Sequence, residues 1–594
     1  MRLWRLVLLA AAAARCAQAQ GAHPAARTVP EGKDIDMTRM SAQQVLREMQ
    51  GAKDDHLVQA SGCVRMASIA ARDRGFPARV RALGASRSDA CYPHCLHFFT
   101  VAKAAMQRFP TDAVGEGCIS ALMVLALDDR DNKRATVSVG LIPIVCQIMR
   151  QHPSVEPIQE HGAHLLALLA AHDTAQAPTH AKLLIVNDGG LSAVAGALQR
   201  FPGHADVQKW GVAVLRNVGN QPQNRDERDA VGQVDGLSLA VVALELHPSE
   251  GALQAEGFWV LTMLSNHALE HKEAVKAAGG LELITNALKA HPDHAAVQLA
   301  AISTLSSLMG PATASLSVWD SLVRGGEADA GMVGGPLASE GSADEETRLA
   351  VLGAGGVALM VSAMTNHPRD EHVQHAGCSI LGTLATSSGR GRVMWPEEGE
   401  EEVTARQATQ SAEGIKQVVS ALAANRGAEK VVVECSRTIA ELVGPSGETE
   451  VGIAREFLKV GAVRELVKSM EAYPGHGGVQ GNGCLALQNL YHGGDDLAKL
   501  LLSKDAVFNA CQKTAADWQY SPGAGWARMS WATQLSYTVF VIVVVAAVDK
   551  AWLKLWDFWH GGGGGGEGRP RRKDEGRKGK ARKRAPNRSS HDFE

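Results

Sequence analysis

The sequence has few aromatic side chains and none of the cysteine spacings that mark a disulfide framework or a zinc ribbon. Phe, Trp and Tyr account for 5% of its 594 residues, whereas Ala, Leu and Val are abundant. This balance favours helix-on-helix packing over a β-sandwich. The ten cysteines are scattered, and no two of them form a CxxC pair. We interpret those that follow a glycine at one recurrent helical position as small buried hydrophobic residues, namely Cys63, Cys118, Cys378 and Cys484.

Sequence motifs of catalysis are also scarce. No glycine-rich phosphate loop follows a strand pattern, and no nucleophile elbow occurs. His267, Glu270 and His271 match the H-x-x-E-H pattern, in which two histidines bind zinc and the glutamate is the base. This match lies between two predicted repeat helices, and the repeats account for the sequence around it. A zinc metalloenzyme therefore remains a remote alternative. We therefore expect a protein that is not an enzyme and holds no cofactor.

A second group of potential metal ligands is compact but irregular. Cys91, His94, Cys95 and His97 fall within seven residues of one another. Tetrahedral zinc sites space their ligand pairs more regularly, and no second pair follows here. We interpret the segment as an insertion that leads into a helix near His97, and we assign no metal site.

The first residues have the three parts of a secretory signal. Two arginines precede an apolar stretch, residues 6–14, which is too short to span a bilayer, and residues 17–19 form a small-x-small cleavage site. We predict a cleaved signal over residues 1–19 and a linker over 20–39. An organelle transit peptide is the alternative, because no acidic residue occurs before Glu31.

The other end of the chain has the pattern of a membrane anchor. Residues 529–548 are uncharged and long enough to cross the hydrocarbon core as one helix, and a Trp-rich segment follows at 549–560. Residues 561–594 are a glycine linker and a basic disordered tail, which the positive-inside rule places in the cytosol. Anionic lipid headgroups are the expected partners of this tail, and a nucleic acid is not expected. The candidate lipid contacts are Arg571, Arg572, Lys573, Arg582, Lys583 and Arg584.

The strongest signal is a repeated phrase with an aliphatic residue, Gln, two variable residues, a small residue and then Leu at helical spacing. Its copies begin at Val58, Ile158, Val207, Leu253, Val297, Val373 and Val479. Two degenerate copies hold Val114 and Val433 in the Gln position. Most copies are separated by the length of one HEAT or armadillo unit. We predict that the recurrent glutamines bond backbone between helices, specifically Gln159, Gln208, Gln254, Gln298, Gln374 and Gln480.

A second phrase alternates with the first and predicts another amphipathic helix. Its copies begin at Gly189, Asp235, Gly279, Gly355, Glu413 and Gly461. A glycine pair breaks the preceding helix, and apolar residues then recur at three- and four-residue steps. Several copies end in His-Pro, where an imidazole suits a helix C-terminus, at His152, His247, His291 and His367. A short extra helix is expected between the two phrases.

These phrases resemble the armadillo repeat family. Its helix-2 phrase, LQ-x-x-A-x-x-x-L-x-N-L, is matched from Val479 to Leu490, and its helix-3 phrase is matched from Gly279 to Leu288. The resemblance covers residues 40–517 in about nine units, with insertions at 73–95, 311–346 and 387–412. It implies an all-α fold, an armadillo-like right-handed α-solenoid, to which the sequence adds one C-terminal transmembrane helix.

One branch of the family is not supported. Importin-α types have a ladder of Trp and Asn four residues apart, but here Val214 and Met263 stand at that offset from Trp210 and Trp259. The copies are more similar to arrays in leucine-rich-repeat kinases and in small armadillo-only proteins. Recognition of a nuclear signal is therefore not expected.

The resemblance implies a scaffold that binds a protein or an extended peptide in a groove lined by the third helices. Polar residues of those helices that face away from the core are the groove candidates: Arg150, Gln199, Asn286, Lys289, Asn366, Lys416, Arg464 and Lys468. The end signals predict a single-pass protein of the secretory pathway with a luminal or extracellular array. A cytosolic or organelle-facing adaptor is the alternative, since unpaired buried cysteines suit reducing conditions.

Overall fold

The computed structural model describes residues 37–73, 75–82, 97–172, 180–220, 225–266, 269–309, 345–385, 392–393, 403–404, 412–444, 451–494, 502 and 511. These residues all belong to the first of two units of the chain, which covers residues 1–514. The predicted signal, the predicted span, the Trp-rich segment and the basic tail lie outside the described residues.

The described part of the chain is helical apart from one two-residue antiparallel pair, β1 (Arg392–Val393) with β2 (Val403–Thr404). The helices are, in chain order, α1 (Ala42–Gly51), α2 (His56–Arg72), α3 (Phe76–Arg79), α4 (His97–Arg108), α5 (Asp112–Ala126), α6 (Arg130–Ser138), α7 (Ile142–Gln151), α8 (Glu156–His172), α9 (Ala181–Asn187), α10 (Gly190–Arg200), α11 (Ala205–Gly219), α12 (Arg225–Gln233), α13 (Gly236–Leu246), α14 (Gly251–Ser265), α15 (Leu269–Ala277), α16 (Gly280–Ala290), α17 (Ala295–Met309), α18 (Glu345–Gly353), α19 (Gly356–Asn366), α20 (Glu371–Ala385), α21 (Ala412–Ala424), α22 (Glu429–Val443), α23 (Val451–Lys459), α24 (Ala462–Ala472) and α25 (Gly477–Gly493).

Three kinds of helix alternate along the array. The Gln helices contain the first repeated phrase and are α2, α5, α8, α11, α14, α17, α20, α22 and α25. The Gly helices precede them and are α1, α4, α7, α10, α13, α16, α19, α21 and α24. Short helices complete most units, as the sequence predicts, and are α3, α6, α9, α12, α15, α18 and α23. Each Gln helix packs along the next, and the Gly helices form a second row beside them, so buried apolar residues make one continuous core.

A left-handed residue starts most Gly helices and explains their glycine pairs. Gly189, Gly279, Gly355 and Gly461 have φ between 71° and 81°, a region that other residues rarely adopt. Asp235 occupies the same position with φ of 56°, which matches the tolerance of Asp for this conformation. The second phrase therefore encodes a sharp turn between a short helix and a Gly helix.

The register of the two degenerate Gln phrases differs by one residue from the prediction. The backbone N–H of each recurrent glutamine donates to the carbonyl of the residue that caps the N-terminus of its helix, as Gln208 does to His204. Gly115 and Val432 make this same backbone bond, so they occupy the Gln position instead of Val114 and Val433. Sequence alignment alone could not place a residue without the glutamine side chain.

The predicted insertion at 73–95 is partly a structured element of the repeat. It contains α3 and a 3₁₀ turn at Val80–Ala82, and the side chains of Phe76 and Val80 are buried. Arg81 bonds Asp129 and Asn132 at the start of α6, at 2.7 and 2.6 Å. The first part of this segment therefore takes the place of a short helix.

Among the described residues, no single helix is both long and apolar enough to cross a membrane. Two bent helix pairs reach that length and composition only when each pair is taken together, and they are α9 with α10 and α18 with α19.

Candidate functional site

The recurrent glutamine ties each Gln helix to the Gly helix before it. In every copy that has the glutamine, its side-chain amide donates to two backbone carbonyls, ten and seven residues earlier, at 2.7–3.0 Å. In α14, for example, Gln254 donates to Leu244 and His247. These carbonyls end a Gly helix and have no partner within it. The predicted structural role of the glutamines is confirmed.

A glycine three residues after the glutamine lets the two helices approach. A Cβ atom on Gly211 would lie 2.5 Å from Leu198, and one on Gly257 would lie 2.7 Å from Leu244. Such distances are far below van der Waals contact, so a side chain here would force the leucine, or the Gly helix that carries it, to shift. The Gln-x-x-Gly phrase is therefore a packing device of the unit.

The His-Pro pairs join successive units in a ladder. Each histidine caps the C-terminus of a Gly helix, as predicted, and its Nε2 lies 2.6–2.9 Å from a proline carbonyl of the preceding unit. His291, for example, contacts the carbonyl of Pro248, which itself follows His247. Asn425 keeps the bond where histidine is absent, donating to Pro368 at 3.0 Å. The repeated dipeptide was a signal for this ladder that the sequence reasoning missed.

Three disulfides overturn the interpretation of the cysteines as small hydrophobic residues. Cys63 pairs with Cys118, Cys378 with Cys435, and Cys484 with Cys511. The first two pairs join successive Gln helices. In each pair, one cysteine lies four residues after the Gln position of its helix, and the other lies three residues after the Gln position of the next Gln helix. Their separations of 55 and 57 residues correspond to one unit plus an insertion, so no local spacing reveals them. Cys146 is the free cysteine of the described chain, and burial raises the pKa of its thiol to about 12.

A strip of aromatic and charged side chains crosses the Gln helices α8, α11 and α14. We call it the Trp210 strip, and it consists of His161, His164, Lys209, Trp210, Arg216 and Glu256. The rings of His164 and Trp210 stack face to face, with centroids 3.4 Å apart and planes 7° apart. The Lys209 Nζ lies 4.7 Å from the centre of the same indole. Arg216 and Glu256 form an ion pair of 2.7 Å between α11 and α14.

Two nitrogens at the centre of this strip have no hydrogen-bond partner among the described residues. They are Nε2 of His164 and Nε1 of Trp210, and both atoms are buried. An indole N–H is only a donor, and a buried donor without an acceptor costs about 1–3 kcal/mol. An acceptor from a bound molecule would remove this cost, which makes the strip a candidate binding surface.

The electrostatics around His164 favour its neutral form. Burial, followed by the nearby Lys209, His161 and Lys133, holds the pKa of His164 well below 6.5. Lys133 reaches this region from α6, which packs against α8. Burial also raises the pKa of Glu256, although Arg216 opposes that shift. The centre of the strip therefore presents cationic groups and hydrogen-bond donors around a neutral imidazole.

A second charged cluster lies on α22, where it faces Gly382 of α20. Arg437 bonds both Glu434 and Glu441, and all three side chains are mostly buried. Gly382 leaves room for it, because a Cβ there would lie 2.7 Å from an Oε2 of Glu441. The guanidinium of Arg437 is already paired with two carboxylates, so it offers less to a ligand than the Trp210 strip.

The eight groove candidates are all exposed on Gly helices: Arg150, Gln199, Asn286, Lys289, Asn366, Lys416, Arg464 and Lys468. Some of them already serve the array. Arg150 donates to the carbonyls of Asp188 and Gly189, at 2.6 and 3.1 Å, and so supports the start of the next Gly helix. A cleft of about 420 Å³ lies between α13 and α16, where Asn286 lines it. Contact of these residues with a partner stays a prediction.

The described residues of the H-x-x-E-H match do not form a metal cluster. Glu270 is exposed, and Nδ1 of His271 lies 3.2 Å from the carbonyl of Leu264. His267 lies outside the described residues, as do Cys91, His94 and Cys95 of the other group, while His97 begins α4.

One group of potential metal ligands does occur in the described chain, formed by Glu156, Glu160 and His204. His204 caps α11, since its Nδ1 accepts from the amide of Val207, and its Nε2 lies 2.8 Å from Glu156. An Nδ1 that accepts leaves the proton on Nε2, so Nε2 has no lone pair for a metal. His476 repeats the arrangement with Val479 and Glu429. The histidine is therefore a helix cap that links two units.

This geometry defines a helical repeat protein with a candidate binding strip on its Gln helices. No family model matches the chain, and no curated protein matches it. Among solved structures, it is similar to two engineered proteins known from crystals. The first is 19% identical, with a TM-score of 0.36, and the match covers 45% of this chain and 96% of that one. The second is 18% identical, with a TM-score of 0.35, and covers 45% and 98%.

Proposed function

We propose that the chain is an armadillo-like right-handed α-solenoid of about nine repeats that acts as a membrane-anchored scaffold and binds a protein or extended peptide. The observation that carries the binding role is the Trp210 strip, with two buried nitrogens that have no hydrogen-bond partner among the described residues. An extended peptide presents a carbonyl at every residue and can satisfy such donors. The strip crosses three Gln helices, which gives a peptide several successive contacts.

The strip is also better suited than the Gly-helix candidates to bind tightly. The rings of His164 and Trp210 are held in place by their stack. The side chains of Lys289 and Lys416 are exposed and would lose conformational freedom on binding. Aromatic side chains that are already ordered supply contact area at low entropic cost. We therefore assign the principal contact to the strip and a peripheral one to the Gly helices.

The disulfides support a luminal or extracellular position for the array. Disulfides form and persist in oxidising compartments and are rare in the cytosol. Cys63–Cys118 and Cys378–Cys435 join successive units near the two ends of the array. They favour the secretory topology, with the basic tail in the cytosol, over a cytosolic or organelle-facing adaptor.

Peptide selection tests the binding role. Twelve-residue peptides displayed on phage are selected against the full chain, and the dissociation constant of the tightest one is measured. We expect Trp210→Ala to weaken binding at least tenfold while the helical circular dichroism is retained. Lys53→Gln, the control at an exposed lysine outside the strip and the groove candidates, should change it less than twofold. Failure to select a peptide, or equal binding by the Trp210 variant, would remove the proposed surface.

Protease protection in sealed microsomes tests the topology. The chain carries one tag beside the array and another at the C-terminal tail. We expect the array tag to be protected and the tail tag to be digested. A protected tail would contradict the orientation and restore the adaptor alternative.

A further inference from the structure

We propose that the Trp210 strip binds a carboxylate side chain, Asp or Glu, of an extended partner peptide, with Trp210, Lys209 and Lys133 as the groups that recognise it. This inference rests on the proposed function, because it names the chemistry that the same strip selects.

Two nitrogens at the centre of the strip are buried and have no hydrogen-bond partner among the described residues. Nε1 of Trp210 can only donate. Nε2 of His164 donates in one neutral tautomer and is the second buried nitrogen without a partner among the described residues. A carboxylate has two oxygens and about four acceptor positions, so one carboxylate can accept from both nitrogens and still face an ammonium group.

The charge around this position is complementary to an anion. Lys209, His161 and Lys133 all lie close enough to His164 to disfavour its protonation. A carboxylate that enters here meets the ammonium groups of Lys209 and Lys133 in a partly buried place, where screening by water and salt is weak. The same groups would repel a cationic side chain of a peptide, so they select for acidic peptides.

Asp206 provides a sharp internal control, because it already pairs with Lys209 three residues later on α11. The partner carboxylate must share Lys209 with Asp206 or replace it. Removal of the Asp206 charge should therefore strengthen binding of an acidic peptide. A variant that only damaged the fold would not strengthen binding.

The stack of His164 on Trp210 fixes the direction of the indole N–H. Face-to-face contact at 3.4 Å, together with Lys209 beside the ring, leaves the edge of the indole as the part that offers a polar group. The Trp210 N–H is thus preorganised for one acceptor, which lowers the entropic cost of binding.

The experiment uses the full chain and the selected twelve-residue peptide. Each acidic residue of the peptide is replaced in turn by its amide, Asp by Asn or Glu by Gln. We expect one replacement to weaken binding to the unchanged protein about tenfold. The same replacement should weaken binding to Lys209→Gln less than threefold, since the charge partner is already gone. Asp206→Asn should bind the unmodified acidic peptide two- to fivefold more tightly. Lys53→Gln, at an exposed lysine outside the strip and the groove candidates, should not differ from the unchanged chain.

The outcomes separate this inference from the proposed function. Loss of binding in Trp210→Ala without any effect of the peptide's acidic residues would overturn the carboxylate inference and leave the binding surface standing. Selection of a peptide that lacks acidic residues would also overturn the carboxylate inference and leave the binding surface standing. Binding that survives in Trp210→Ala would overturn both. Coupling between one peptide carboxylate and Lys209, with stronger binding in Asp206→Asn, supports both.

Discussion

The imidazole of His164 lies flat against the indole of Trp210, with ring centroids 3.4 Å apart and ring planes inclined by only 7°. The two residues belong to Gln helices of successive units, α8 and α11, so the stack is an inter-unit contact. One nitrogen of each ring, Nε2 of His164 and Nε1 of Trp210, is buried and lacks a hydrogen-bond partner in the described chain. Such an arrangement gives the array packing energy and leaves hydrogen-bonding groups for a ligand.

Replacement of Trp210 separates these two contributions. Trp210→Ala removes the stack and most of a large half-buried side chain, so we expect it to lower the free energy of unfolding by about 2–3 kcal/mol. Trp210→Phe keeps an aromatic ring against His164 and should cost about 1 kcal/mol, yet it removes the N–H donor. Urea unfolding followed by circular dichroism measures stability, and the peptide titration measures binding. Equal stability of the Ala and Phe variants would show that the stack contributes nothing.

The repeat and its phrases could be predicted from sequence because they are local. Gln208, Gly211 and the glycine turn at Gly189 recur at fixed offsets, and each has a role within one unit. The Trp210 strip could not be predicted in this way, since its members come from different units and meet only when Gln helices stack. Cys63 and Cys118 illustrate the same limit, because their pairing depends on which faces of two helices are opposed.

Replacement by alanine of two glycines on adjacent helices, Gly211 and Gly196, should change the free energy of unfolding in opposite directions. Gly211→Ala places a Cβ 2.5 Å from Leu198, and we expect a loss of about 1–3 kcal/mol. Gly196, on the adjacent α10, has no atom within 4 Å of the same added group, so Gly196→Ala should stabilise the helix by about 0.5–1 kcal/mol. Denaturant unfolding of the two variants checks the contrast. A destabilised Gly196 variant would contradict the packing that we describe for α10.

Loss of one recurrent glutamine should be costly despite its neutral charge. Gln254→Ala removes bonds to the carbonyls of Leu244 and His247, at 2.8 and 3.0 Å. The His247 carbonyl keeps the backbone N–H of Glu250 at 3.2 Å, whereas the Leu244 carbonyl loses its donor. We expect the free energy of unfolding to fall by about 1–3 kcal/mol. Gln199→Ala, on an exposed face, is the control and should change it by less than about 0.5 kcal/mol. A similar effect of the two substitutions would show that the inter-helix bonds are not made.

The disulfides predict a specific pattern in peptide mapping. Digestion without reductant should yield cross-linked peptides that contain Cys63 with Cys118 and Cys378 with Cys435. Cys146 should remain a thiol that resists alkylation until the chain unfolds, because it is buried and its pKa is about 12. Cys378→Ser should destabilise the array by about 2–5 kcal/mol, whereas Cys146→Ala should cost about 1 kcal/mol. Unlinked peptides from protein made in an oxidising compartment would contradict the pairing.

The buried imidazole of His164 should make the array sensitive to mild acid. The pKa of His164 in the folded chain is lower than 6.5, its ordinary value, because of burial and of nearby Lys209, His161 and Lys133. As pH falls below about 6.5, the imidazole therefore binds a proton in the unfolded chain but not in the folded chain. The free energy of unfolding decreases until the pH reaches the pKa of the folded state. His375, whose pKa burial also lowers, acts in the same direction.

Unfolding curves measured between pH 7.5 and 5 test this effect. One histidine can contribute a slope of at most about 1.4 kcal/mol per pH unit, and His164 should approach it because its pKa is lowered well below 6.5. His164→Gln should reduce the acid sensitivity of the chain by this contribution and leave that of His375. His375→Gln should also reduce the acid sensitivity, and the double variant should be the least sensitive. A pH profile that His164→Gln leaves unchanged would mean that the imidazole accepts a proton in place, without cost to its stack on Trp210.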